Sequence, residues 1–378
     1  MPLNSSGPLS MGGPVAGQSI DLELGRAAST QIGLDETPVR TLAGVLSGTI
    51  GLSNFYGKAN ALDYGFLGSG GIDPQSVNKI TYSTNTYANS GLTSKIELYG
   101  VATVSSRDVA LWCGAVSSSG NTKSSELYGI SLITSTFIDP AQTLPYIIAF
   151  SGGLSYLDIS GYSFGGMYSN VQRTATARID FSSYTSINLG NYSITNSFGR
   201  DPCCFHTNNY GYATLGGLNQ GTAAATASGK FSFSTETWAN VSSGGFPTQN
   251  TTNIYYDRIR CSSMSKTSAY GMAQYNYYTG SQPYQLLNYS AKFSFSTETY
   301  TNPFTPAYVP AGQGISTPTR GYFGNGQGQG NSDAPPNSVS AIMLIYATDT
   351  IATTSMYQAS TQTYFQTGSG MSQNISLI

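Results

Sequence analysis

Residues 230–238, KFSFSTETW, recur almost unchanged at 292–300 as KFSFSTETY. Such self-similarity means that one supersecondary unit is built several times over, and it constrains the fold more than any single motif. Weaker copies keep the pattern of apolar, polar, apolar, Ser or Ala, and a Thr-rich end: KITYSTNTY (79–87), GISLITSTF (129–137), RIDFSSYTS (178–186) and MLIYATDTI (343–351). Successive copies start 50, 49, 52, 62 and 51 residues apart, and a half copy, NISLI (374–378), starts 31 residues after the last.

Most copies are preceded by an aromatic residue and glycines, as in YGFLGSGG (64–71), YSFGG (162–166), YGYATLGG (210–217), YFGNG (322–326) and YFQTGSG (364–370). Within KFSFS, Phe231 and Phe233 alternate with Ser232 and Ser234, the period of a strand with one apolar face. A unit of about 50 residues holding four short strands is the period of kelch-type propeller blades. The expected order in a blade is inner strand, tight turn, glycine-ended strand, variable loop, KFSFS-like strand, Thr-rich turn and outer strand. The expected fold class is therefore all-β, a kelch-like β-propeller over residues 60–378. A parallel β-helix or fibre shaft is the competing reading, but solenoid coils repeat at about 20–30 residues. Seven copies favour seven blades. Six is the alternative, with the last pair as an appendage. In the seven-bladed version, a strand from 20–24 (IDLEL) or 49–55 (TIGLSNF) completes the last blade and removes an open edge.

Charge is scarce: 16 Lys and Arg and 18 Asp and Glu make 9% of the chain, against about 25% in an ordinary soluble domain. Solubility must rest on hydroxyls and amides. The balance excludes a nucleic-acid partner, which needs clustered cations. No run approaches the ~20 apolar residues of a membrane helix, so no membrane insertion is expected. The first residues, MPLNSSGPLSMGG, lack the basic and apolar regions of a signal peptide. Cys113, Cys203, Cys204 and Cys261 form no zinc-ribbon spacing. They read as small buried residues on strands, with a strained Cys203–Cys204 bridge as the alternative.

The residues offer little chemistry. The single histidine, His206, reads as a core residue and cannot alone make a copper or zinc site. Asp158, Asp180, Asp201, Glu236 and Glu298 are the candidates for a glycosidase pair, yet Glu236 and Glu298 occupy equivalent turn positions of sister copies. GNGQGQG (324–330) lacks the context of a phosphate loop. No catalytic, metal or cofactor residue is assigned, and no enzyme is expected. Segments 275–285 (YNYYTGSQPYQ) and 244–256 suit either sugar recognition or subunit interfaces, where aromatics are enriched.

Residues 1–59 lie outside the repeat. They contain SSGPLSMGGPVAGQSIDLELG, VRTLAGV and SGTIGLSNFYGK. Alternation of Ile20, Leu22 and Leu24 with Ser19, Asp21 and Glu23 predicts a strand, with further strands over VRTLAGV and TIGLSNFYG, hence a small β-rich module. This run of about 58 residues resembles the N-terminal module of tail, fibre and baseplate-associated proteins of tailed phages, notably cyanophages. It departs from that pattern at Met11, Asp21 and Gly51-Leu52. The repeat region is more loosely similar to the kelch-like part of such proteins. The resemblance implies a virion structural protein on the exterior of the tail, assembled in the bacterial cytoplasm. Residues 1–59 would bind other tail, baseplate or neck proteins, and residues 60–378 would contact the host surface, with a host glycan as partner. It further implies a homo-oligomer, a trimer by analogy. A neck or tail scaffold without receptor role, and a lectin-like module, are the alternatives.

Overall fold

A computed structural model describes residues 3–4, 6–15, 17–24, 26–43, 45, 47–56, 62–68, 75–95, 100–116, 123–149, 151–168, 171–192, 202–214, 228–241, 254–277, 285–303, 313–324, 340–357 and 370–371. These fall into two compact units, one within Met1–Leu62 and one within Asp63–Ser376.

The first unit is helical where strands were expected. Helix α1 (Ile20–Glu23) is capped by Ser19, whose hydroxyl accepts from the Leu22 amide at 3.3 Å, and Asp21 and Glu23 lie in its first turn. Winding brings Ile20 and Leu24, four apart, to the same side, and both join the unit's core. Helix α2 (Thr37–Ala43) starts with Pro38 in its first turn, where a missing N–H costs nothing. Its Val39, Leu42 and Ala43 are buried beside Leu3, Ile20 and Phe55. Their spacing of three and four is a helical signal inside VRTLAGV. Residues Leu52–Phe55 form one 3-10 turn, so neither 20–24 nor 49–55 supplies a propeller strand.

The second unit is a six-bladed β-propeller, each blade a four-stranded antiparallel sheet. Blade 1 contains β1 (Tyr64–Gly68), β2 (Ser76–Thr81) and β3 (Thr86–Thr93). Blade 2 is β4 (Ala102–Ser105), β5 (Val109–Val116), β6 (Lys123–Ser131) and β7 (Thr136–Ile138). Blade 3 is β8 (Gly152–Tyr156) and β9 (Ser160–Phe164), then a small hairpin of β10 (Met167–Tyr168) and β11 (Val171–Gln172), then β12 (Ala175–Asp180) and β13 (Ser186–Asn191). Blade 4 is β14 (Cys203–His206), β15 (Tyr210–Thr214), β16 (Ser228–Ser232) and β17 (Thr237–Asn240). Blade 5 is β18 (Ile254–Met264), β19 (Ser268–Tyr277), β20 (Gln285–Ser294) and β21 (Thr299–Thr301). Blade 6 is β22 (Gln313–Ser316), β23 (Arg320–Gly324), β24 (Ser340–Ile345) and β25 (Thr350–Tyr357).

The seven-blade preference is corrected by the ring closure. Strand β26 (Gly370–Met371) pairs antiparallel with β1, Met371 opposite Phe66 and Gly370 opposite Leu67. The last aromatic–glycine copy therefore contributes the inner strand of blade 1 and does not begin a seventh blade. The inner strand β26 also touches β4 on one side and β22 on the other, so no sheet edge is left open at the seam. The half copy NISLI lies outside the described residues. Cys113, Cys203 and Cys204 are free thiols, and Cys261 lies on β18.

Candidate functional site

The repeated TxT ending is a turn joining the third and fourth strands of every blade. Its central residues, Asn85, Ser135, Tyr184, Glu236, Glu298 and Asp349, have φ between 51° and 58°, the left-handed region that side chains usually avoid. The flanking hydroxyls close each turn, Thr84 to Thr86, Thr134 to Thr136, Ser183 to Thr185, Thr235 to Thr237, Thr297 to Thr299 and Thr348 to Thr350, at 2.6–2.8 Å.

This conformation aims the central side chain at the preceding blade. Glu236 accepts from Tyr162 at 3.0 Å and from Arg178 at 2.7 Å, both in blade 3. Glu298 accepts from Tyr212 at 3.0 Å and from Lys230 of blade 4. Asp349 accepts from Tyr270 at 2.6 Å and Lys292 at 2.7 Å, in blade 5. At the seam, Asn85 accepts from Tyr322 at 2.8 Å and Arg320 at 3.2 Å of blade 6. Ser135 donates to Tyr64 of blade 1 at 3.3 Å. At the sixth interface the turn residue makes an apolar contact instead: Gly129 stands where Lys230 stands in blade 4, and Tyr184 packs against a core that includes Leu111.

These contacts perturb the tyrosines. Burial, less the help of Ser160, pushes the Tyr162 hydroxyl up to about 12. Burial and the hydrogen bond to Glu298 raise Tyr212 further, and burial with Asp349 does the same for Tyr270. At Asp349, burial works against ionisation, but hydrogen bonds from Lys292 and Tyr270 prevail and hold it below the usual carboxylate range.

Because the four strands of a blade alternate in direction, the short turns leave one face of the ring and the remaining connections leave the other. First-to-second and third-to-fourth strand turns take three to five residues, whereas the connections on the opposite face take six to fifteen. Six of those twelve longer connections contain no Asp, Glu, Lys or Arg. They are rich in Ser, Thr, Asn, Gln, Gly and Tyr, as in 215–227 (LGGLNQGTAAATA) and 242–253 (SSGGFPTQNTTN). The other six carry charge, for example Asp73, Lys95, Asp139 and Arg173, and this long-connection face is the candidate contact surface.

The carboxylates considered for catalysis are placed apart in function. Asp158 accepts from the Arg107 amide at 2.7 Å and lies 3.7 Å from the buried Arg107 guanidinium. Asp180 caps its own turn through Ser182 and Ser183. Glu236 and Glu298 belong to two different blade interfaces, and Asp201 lies outside the described residues. His206 is half-buried at the end of β14, its amide directed at the Met264 sulfur at 3.4 Å. Among the described residues no three His, Cys, Asp or Glu side chains gather as a metal site. Of the sugar-recognition segments, 254–256 lies on β18, 275–277 on β19 and 285 on β20; the intervening 278–284, and 244–253, lie outside the described residues, as does 325–330. Sequence reading missed the Tyr–cation–acid latch, although a Lys six residues before a turn acid was visible in two copies, Lys230 before Glu236 and Lys292 before Glu298.

Fold and geometry together define a six-bladed propeller with one latched face and one face of long connections, half of them uncharged. No protein-family model matches the chain, and no curated protein matches it. Among solved structures, that of YjhT is similar over 76% of this chain and 94% of its own, with a TM-score of 0.58 and 10% identity. At that identity the likeness concerns the fold alone.

Proposed function

We propose that this chain is a non-enzymatic structural protein of a tailed-phage virion, attached through its N-terminal unit, whose propeller touches the host surface with the long-connection face. The division between the two faces is the observation that supports a contact role. The turn face is committed to holding blades together, while the opposite face varies most in length and offers uncharged hydrogen-bonding groups. The resemblance of residues 1–58 to phage tail-protein modules supports the virion setting. The four described candidate carboxylates each have structural partners, which favours contact over catalysis. Imaging of assembled particles with a tagged chain tests the reading, together with competition by excess purified chain for particle adsorption. Exterior tail position with slowed adsorption is the expected result. Absence of the chain from particles would overturn it.

A further inference from the structure

In blades 3, 4 and 5 a third-strand cation stands directly opposite a second-strand tyrosine: Arg178 with Tyr162, Lys230 with Tyr212 and Lys292 with Tyr270. Each cation meets an acid at the left-handed turn of the following blade, Glu236, Glu298 or Asp349. Blade 1 departs from this plan. It keeps the cation, Lys79, but Phe66 stands opposite it, and Ser135 occupies the turn of blade 2. Lys79 has therefore lost both the carboxylate and the tyrosine hydroxyl that accompany its counterparts.

Among the described residues the Lys79 ammonium meets aromatic rings and no acid: it lies 3.7 Å from the centroid of Tyr64 and 5.9 Å from that of Phe66. The ring does not replace the acid, because Lys230 has the same contact, 3.8 Å to Tyr210, and still takes Glu298. Tyr64 is itself fixed to the turn of blade 2, its hydroxyl donating to the Leu132 carbonyl and accepting from Ser135 at 3.3 Å. The ammonium is thus positioned beside the turn before any ligand arrives, which lowers the ordering cost of binding. A charge-assisted hydrogen bond to it would be about twice as strong as a neutral one.

The same turn carries Ile133, 53% exposed, where the other five copies have Ser83, Ser182, Ser234, Ser296 and Ala347. The copy that lacks a turn acid or amide beside a cation is the one that offers an isoleucine to solvent. One ammonium matches one negative charge, whereas a polyanion takes clustered Lys and Arg. An apolar neighbour suits a protein side chain better than a sugar, whose hydroxyls call for donors and acceptors.

We infer that the Lys79–Ser135 site, on the turn face between blades 1 and 2, takes an Asp or Glu side chain of a protein partner, with an apolar residue next to that acid resting on Ile133. The partner's carboxylate stands where Glu236, Glu298 and Asp349 stand at the sister interfaces. The site goes beyond the proposed contact role of the opposite face and does not depend on it.

The test adds the full chain to the capped peptide acetyl-Leu-Glu-Leu-amide and reads binding from broadening of the peptide's leucine methyl NMR signals. Its Gln analogue is the uncharged control, and glucuronate and inorganic phosphate are competitors. Lys79→Met removes the cation, and Ser135→Glu supplies the acid from within the chain. Expected is binding of the Glu peptide that each variant weakens by roughly tenfold or more, with a higher urea midpoint for Ser135→Glu, as a restored latch requires. If Lys79→Met fails to fold, Ser135→Glu decides. No binding by the unaltered chain, equal binding by a folded variant, or equal binding of the Gln analogue overturns the site. Glucuronate or phosphate binding as tightly as the peptide overturns the protein-partner class.

Discussion

Lys230, on the third strand of blade 4, donates to Glu298 at the left-handed turn of blade 5, and Tyr212 donates to the same carboxylate oxygen at 3.0 Å. One carboxylate thus holds two strands of its neighbour, and both ionic side chains are a quarter exposed. Glu298→Ala deprives both donors of their partner and is expected to cost about 1.5–3 kcal/mol, the range for hydrogen bonds to charged groups. Water reaches the site, so the lower end applies. Urea unfolding should show the loss, and adding Lys230→Met should recover part of it, as expected for residues in one network. Strict additivity of the two changes would contradict the latch.

The left-handed turn separates conformational strain from contact. Ser135 and Glu298 both have φ of 53°, a conformation glycine adopts freely. Ser135 makes only a 3.3 Å contact to Tyr64, so Ser135→Gly should leave stability unchanged or raise it by up to ~1 kcal/mol. Glu298→Gly gains the same relief and loses the latch, so it should be the less stable of the two by denaturant midpoint. The reverse order would show that backbone strain outweighs the contact.

Small residues set the blade spacing. A Cβ on Gly161 would lie 2.5 Å from Val104 Cβ, and one on Gly211 would lie 2.3 Å from Leu154 Cδ1, each contact reaching the inner strand of the preceding blade. Gly161→Ala and Gly211→Ala should each destabilise by about 1–3 kcal/mol through overpacking. Leu154→Ala makes room for the second, so Gly211→Ala should cost measurably less in that background. An equal cost in both backgrounds would place the effect elsewhere.

The pH response has two limbs. Asp349 has a lowered pKa in the folded state, so between that value and the unfolded ~4 the unfolded chain binds more protons. Its contribution is present above pH ~4 and lost as pH falls through the folded value. Tyr162 is raised to about 12, and Tyr212, Tyr270, Tyr300 and Tyr346 are raised too, burial being the leading cause in each. Their contribution is complete below the unfolded ~10 and is lost as pH climbs through the folded values. Unfolding followed by tyrosinate absorbance should therefore show stability falling steeply above pH 10. Tyrosines that all titrate near 10 in the intact protein would refute this.

In the N-terminal unit, Asp21 is fully buried, and neither carboxylate oxygen has a hydrogen-bond partner among the described residues. This is also a position where the chain departs from the phage-module pattern. Asp21→Asn removes the charge while keeping the shape, and it should stabilise the unit by about 1 kcal/mol or more. Thermal unfolding of the full chain, followed by a probe within residues 1–62, reads the effect. A lower transition temperature would mean that the carboxylate is satisfied in solution.

The blade was legible because its determinants are local. Alternation in KFSFS, glycine before or after an aromatic, and Thr around a turn residue each act within a few positions. The N-terminal helices were misread for the same kind of reason. Ile20, Leu22 and Leu24 fit a period of two, but the Ser19 cap and the Val39, Leu42, Ala43 spacing carried the stronger helical signal.

What the sequence by itself determines is therefore the repeating unit: its strands, its turn chemistry and its scarcity of charge. Tertiary structure alone decided how many units close the ring and which charges meet. Lys230 and Glu236 belong to one copy, six residues apart, yet they serve different interfaces, Lys230 with Glu298 ahead and Glu236 with Arg178 behind. The physical reason is that a blade's latch partners lie 57 to 68 residues away in neighbouring copies. Closure likewise depends on β26 returning to β1, a contact between the two ends of the propeller segment. Neither distance leaves a trace in the local pattern.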